Sequence, residues 1–114
     1  MIILVLALAI GVLIGLVTNV AVPQEVLTYL GVAVLAALDS CFGGVRASLE
    51  GDFDDRVFLV GFVANTLVAA LIVFLGDSIG VPELYLAAVV AFGVRLFNNL
   101  GAIRHLALKR VGWE

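Results

Sequence analysis

Four long apolar windows mark the chain, at residues 1–22, 26–45, 57–75 and 84–103. Each is close to the roughly 20 residues that a helix needs to cross hydrocarbon. The segments between them are short and punctuated: Thr18-Asn19 leading to Pro23-Gln24-Glu25, then Glu50-Gly51-Asp52-Phe53-Asp54-Asp55-Arg56, then Gly76-Asp77-Ser78-Ile79-Gly80-Val81-Pro82-Glu83. No linker or second domain fits between the windows. The pattern predicts a single transmembrane helical domain over residues 1–114, an all-α polytopic membrane bundle of four transmembrane helices. Pro23 and Pro82 each follow a valine and precede a polar stretch with an acidic residue. That suits a first helical turn, where a missing N–H costs nothing and the helix dipole favours negative charge, so helices two and four are expected to begin there. Span two is interrupted by Asp39 and the Gly43-Gly44 pair. The alternative is therefore three spans plus a re-entrant or interfacial helix around residues 39–50.

Composition turns this pattern into a statement about solvent. The 114 residues are 64% hydrophobic and 13% charged, with mean hydropathy +1.26, against roughly 45–50% apolar and 25% charged in soluble domains. A soluble core of this size could not hide so much apolar side chain, so the excess is expected to face lipid. Residues 2–17 are all apolar or glycine, with no preceding Lys or Arg and no small-x-small cleavage site, and read as an uncleaved first span. The net charge of -3 offers no basic face for nucleic acid. The one cysteine, Cys41, supports neither an internal disulfide nor a metal-binding spacing.

Charge placement sets an expected orientation. Arg46 and Arg56 bracket the second loop, Arg104, Lys109 and Arg110 follow the fourth span, and the first and third loops carry no Lys or Arg. The positive-inside rule then places the middle loop and both termini on the cytoplasmic side, with those five residues at the cytoplasmic interface and Trp113 near it. Within the bundle, small residues recur every fourth position: Ala7, Gly11 and Gly15 on span one, Ala36, Ser40, Gly44 and Ser48 on span two, and Gly61, Asn65 and Ala69 on span three. Membrane helices associate where small residues let backbones approach, so these stripes are expected packing faces within the protomer, with a homo-oligomer seam as the sharper alternative.

The informative residues are those that hydrocarbon rejects: Asp39, Asn65, Arg95, Asn98 and Asn99. At about 1.5 Å per residue from the outer end of each span they lie roughly 15–23 Å deep, in one slab. Arg95, Asn98 and Asn99 share a helix face through spacings of three and four. Asp39 and Arg95, of opposite sign at matching depth, are expected to pair, with Asn98, Asn99 and Asn65 satisfying the remaining positions. The favoured role for this layer is fixing helix register and partner choice. The functional alternative is a water-filled or ion-binding pathway. Arg46 is expected at the boundary, meeting Glu50 four residues later. The Asp52, Asp54 and Asp55 cluster lacks the glycine and distal glutamate of a calcium loop and reads as an N-cap for span three. His105 has no second His or Cys to share a metal, and the chain contains no Ser-His, Cys-His, carboxylate-pair or metal-ligand constellation.

Several runs carry a family likeness: Ala33-Val34-Leu35-Ala36-Ala37-Leu38-Asp39, Phe42-Gly43-Gly44-Val45-Arg46-Ala47, Leu75-Gly76-Asp77, Leu84-Tyr85-Leu86-Ala87-Ala88-Val89-Val90 and, most specific, Phe92-Gly93-Val94-Arg95-Leu96-Phe97-Asn98-Asn99-Leu100. Over residues 1 to about 106 the chain resembles the bacterial small basic protein family. The resemblance implies a small multi-pass protein of the bacterial cytoplasmic membrane, often encoded near cell-division or envelope genes, with no assigned biochemical activity. The matching positions are Asp39, Gly43, Gly44, Arg46, Asp77, Arg95, Asn98 and Asn99. One departure is the acidic character of this chain, with a pI near 4.9, against a family name that advertises basic charge. The combined expectation is a non-enzymatic membrane component of the cell envelope without a cofactor, whose partners are the lipid bilayer and either further copies of itself or other membrane proteins. The alternative is a small oligomeric channel or transporter subunit that uses the Asp/Arg/Asn layer.

Overall fold

The computed structural model describes residues 2–112, so Trp113 lies outside the described residues. Among the described residues the chain is built of helices joined by short turns. Helix α1 spans Ile2–Val17, α2 Gln24–Glu50 and α3 Asp55–Ile79, and a 3-10 turn over Pro82–Leu84 leads into α4, Tyr85–Arg110. At 25 to 27 residues, the three long helices each extend about 38–40 Å, more than the roughly 30 Å of hydrocarbon in a bilayer. These three, counting the 3-10 turn with α4, are long and apolar enough to cross a membrane. Helix α1, at 16 residues, is the short member. Residues 39–50 continue α2 as regular helix, in place of the alternative re-entrant or interfacial segment.

Local chemistry explains the boundaries. Pro23 stands immediately before α2, and its carbonyl accepts the Val26 N–H at 3.0 Å. Helix α2 ends at Gly51, whose φ of 81° is left-handed. There the Gly51 N–H reaches the Ser48 carbonyl at 3.2 Å and the Asp52 N–H reaches that of Ala47 at 2.8 Å, which closes the last turn. Three residues later α3 begins under the Asp54 carboxylate, which accepts from the Arg56 N–H at 2.8 Å and the Val57 N–H at 3.3 Å. So short a connection makes α2 and α3 antiparallel neighbours. Helix α4 then runs parallel to α2 and forms its most extensive interface.

The core lies toward the end of the bundle remote from the α2–α3 loop. Val32 and Ala36 of α2, Ala69 and Val73 of α3, and Ala88 and Phe92 of α4 form it, with Tyr29, Ile72 and Tyr85 packed at its edge. Three of these six are alanines, and small side chains at the contact let the helix backbones come close. Outward positions are apolar, including Leu67, Val90 and Phe97, the surface expected of helices that face lipid.

The small-residue stripes divide. On α2, Ala36 and Gly44 are buried and Ser40 is half-buried; on α3, Ala69 is buried. The expected face of α1 does not pack within the chain: a Cβ added at Gly11 or Gly15 would meet nothing within 4 Å, and among the described side chains of α1 only Leu8 is half-buried. Gly61 likewise has open space beside it. The reason is physical. Apolar helices gain little from contact with one another in an apolar solvent, and α1 carries no polar group to fix its register against a neighbour.

The glycine that close approach does require is Gly76. A Cβ there would stand 2.6 Å from the Val81 carbonyl oxygen and 2.7 Å from Leu84 Cβ. The Gly76 carbonyl accepts the Val81 N–H at 2.8 Å, so neither side of this turn can retreat without losing a bond. Gly76→Ala is expected to lower stability by about 1–3 kcal/mol, as overpacking does. Gly61→Ala, with nothing to displace, should change it by less than about 0.5 kcal/mol. Unfolding of the two variants by SDS titration of detergent-solubilised protein checks the contrast.

Candidate functional site

On each long helix a polar residue stands about one turn from a core residue: Asp39 three after Ala36, Arg95 three after Phe92, and Asn65 four before Ala69. Residues three and four apart share a helix face. The three polar side chains therefore enter one cleft on the loop side of the core, which they line together. The Asp39 side chain has no exposed surface, and the Arg95 side chain is 56% exposed. Arg95 Nη2 lies 3.5 Å from Asp39 Oδ2, beyond the usual range of a hydrogen bond. Neither Asp39 oxygen accepts a hydrogen bond. The pair is held by charge, and that attraction offsets part of the large cost of taking a lone carboxylate out of water.

The cleft encloses about 250 Å³ between α2 and α3. Asp52, Phe53 and Asp54 of the connecting loop form its mouth, and Asp39, Asn65 and Arg95 lie at its far end. Asn65 follows Asp55 by ten residues, which puts the far end about 15 Å from the loop. Small residues on the walls, Ser40, Gly43, Gly44 and Gly61, leave this space open. Phe53, Phe58 and Phe62 line one side as a file of rings, with centroids 5.8 Å apart for the first pair and 6.4 Å for the second.

The amides do not surround Asp39 as expected. Asn99 turns to Arg46, whose Nη1 donates to Asn99 Oδ1 at 3.3 Å, and its Nδ2 lies 3.5 Å from where a Gly43 Cβ would be. Asn99 is one turn beyond Arg95, and a long Arg46 side chain, which leans toward the N-terminus of its helix, meets it first. Asn98 is exposed, and Asn65 is half-buried on the cleft wall. Arg46 also pairs with Glu50, Nε to Oε1 at 3.4 Å.

Arg46, Arg56, Arg104, Lys109 and Arg110 gather at the end of the bundle where α2 and α4 finish and α3 starts. Arg56, Arg104 and Lys109 are exposed. Arg110 reaches across to donate from Nη2 to the Leu49 carbonyl at 3.1 Å, satisfying one of the carbonyls left open at the end of α2. Among the described residues, no group of three or more His, Cys, Asp or Glu side chains is placed to hold a metal ion. Sequence reasoning missed the aromatic file, although the i,i+4 spacing of Phe58 and Phe62 was visible. It also missed the Arg110 contact, which no local pattern announces.

Known proteins share much of this sequence. Residues 22–108, the stretch holding α2, α3 and all but the last two residues of α4, match the family described as "Protein of unknown function (DUF1290)". The chain is 50% identical over 106 residues to the "Small basic protein" of Bacillus subtilis (strain 168), covering 93% of this chain and 87% of that one. It is 52% identical over 99 residues to "Uncharacterized protein Mb1855" of Mycobacterium bovis and to "Uncharacterized protein Rv1824" of Mycobacterium tuberculosis, in each case over 86% of this chain and 82% of the relative. No solved structure matches it. With the match extending over most of its length, the chain belongs to the DUF1290 family, that of the small basic protein of B. subtilis.

Proposed function

We propose that this chain is a non-enzymatic integral protein of the bacterial cytoplasmic membrane. It acts as a component of the cell envelope that assembles with further copies of itself or with other membrane proteins. The α2–α3 loop and both termini face the cytoplasm in this reading, following the cluster of basic residues at that end. The link to division or envelope processes rests on the family resemblance. The observation that carries assembly is the open polar face of α4: Arg95 is 56% exposed along its side chain, and Asn98, three residues on, is exposed. A guanidinium left more than half exposed and an amide open to lipid near the middle of a span are costly, and polar side chains in that position are satisfied by a neighbouring helix.

A cysteine placed at the proposed seam tests the reading. In a Cys41→Ser background, Asn98→Cys is expected to give a disulfide-linked dimer in native membranes on mild oxidation. Leu67→Cys, on the outward apolar face of α3, should remain monomeric. Equal crosslinking at both positions, or none at position 98 to any protein, would contradict assembly through this face.

A small channel or transporter subunit is the competing reading, and what favours it is the cleft that runs from the loop to Asp39. Purified protein in liposomes separates the two. A scaffold leaves the leak of sodium and protons at the level of empty vesicles. A conduit raises it, and Asp39→Asn abolishes the rise.

A further inference from the structure

The cleft between α2 and α3 has a lining of unusual chemistry for a membrane segment, three carboxylates and three phenylalanine rings against one guanidinium. Asp39 at its far end is fully buried, and both of its oxygens lack a hydrogen-bond donor. Arg95 approaches Oδ2 alone, from 3.5 Å, with its side chain 56% exposed, so the carboxylate acts on the cleft by its charge, which offsets that of the guanidinium. Asp52 and Asp54 stand at the mouth. Asp54 spends Oδ1 on capping α3, while Asp52 is exposed and free to act on an incoming charge.

We infer that this cleft is a binding site for a small organic cation, an ammonium compound carrying an apolar or aromatic group. The sign follows from the lining: Asp52 and Asp54 at the mouth repel anions, and at the far end Asp39 and Arg95 neutralise one another. The organic character follows from two further features. A bare metal ion needs several oxygens at once, and no such group forms among the described residues. Phe53, Phe58 and Phe62 supply instead the aromatic surface that attracts alkylammonium groups, and they run from the mouth toward Asp39. The volume of about 250 Å³ suits a ligand smaller than the drug-sized molecules held by pockets of roughly 300–1,000 Å³.

The site is tested by calorimetric titration of the purified full chain, in nonionic maltoside micelles, with benzyltrimethylammonium. Benzenesulfonate serves as the anion of similar shape. The expected result is saturable binding of the ammonium probe, one per chain, with none of the sulfonate. Asp39→Asn should weaken it by about tenfold or more, and Asp52→Asn and Phe62→Leu by about threefold each. Absence of saturable binding, equal binding of benzenesulfonate, or an affinity unmoved by these variants would overturn the site. Should Asp39→Asn fail to fold, the exposed Asp52 and the half-buried Phe62 still decide it: weakening in both supports the site, and an unchanged affinity in both refutes it.

Discussion

A carboxylate with no exposed surface and no hydrogen-bond donor needs a nearby positive charge, and the rest of this bundle is arranged around meeting that need. Asp39 is on α2 and Arg95 on α4, so the pair fixes which two helices lie side by side and at what height. The parallel α2–α4 interface is the most extensive in the chain. Shifting α4 by one turn, about 5.4 Å, would leave the carboxylate buried alone, at a cost of several kcal/mol. Dispersion between alanines and valines imposes no comparable penalty for slippage. Charge sets the register, and the small side chains of Ala36, Ala69 and Ala88 then allow the close packing that the register permits.

The same constraint divides the bundle into two halves. Away from the α2–α3 loop the helices close on Val32, Val73 and Phe92. Toward the loop the small residues of α2 and Gly61 leave a cleft, and contact between helices passes to polar side chains: Arg46 with Asn99, and Arg110 with the Leu49 carbonyl. Among its described side chains, helix α1 offers these halves the approach of Leu8 to the apolar crevice beside Cys41 and Phe62. A helix without polar residues has nothing with which to specify a neighbour.

What could be read from the sequence follows from this division. Helices α2 to α4 were legible because each carries a long apolar run with punctuating residues at its ends. Gly51 and Asp54 close and open helices there by mechanisms that act within a few residues. The Asp39–Arg95 contact was legible because the alternative for each group is so unfavourable. The amide partners were not, since an amide can be satisfied in several ways and the choice between Asp39 and Arg46 for Asn99 is settled by side-chain reach. Gly11 and Gly15 do not pack within the protomer, because a small-residue stripe permits packing without requiring it. Gly76, which close packing does require, sits in no such stripe. The helix ends at Glu50 and Arg110 ran past the apolar windows because charged turns outside hydrocarbon remain helical.

The central claim is that the charges on residues 39 and 95 depend on each other. A double-mutant cycle built from Asp39→Asn and Arg95→Gln, read by SDS-induced unfolding of the purified protein, tests it most directly. The account predicts that Arg95→Gln alone is the most destabilised of the set, since it strands a buried carboxylate. Adding Asp39→Asn should recover part of the loss, with a coupling of about 1 kcal/mol or more. Costs that add to within about 0.5 kcal/mol would show that the two groups do not sense one another, and would contradict the account.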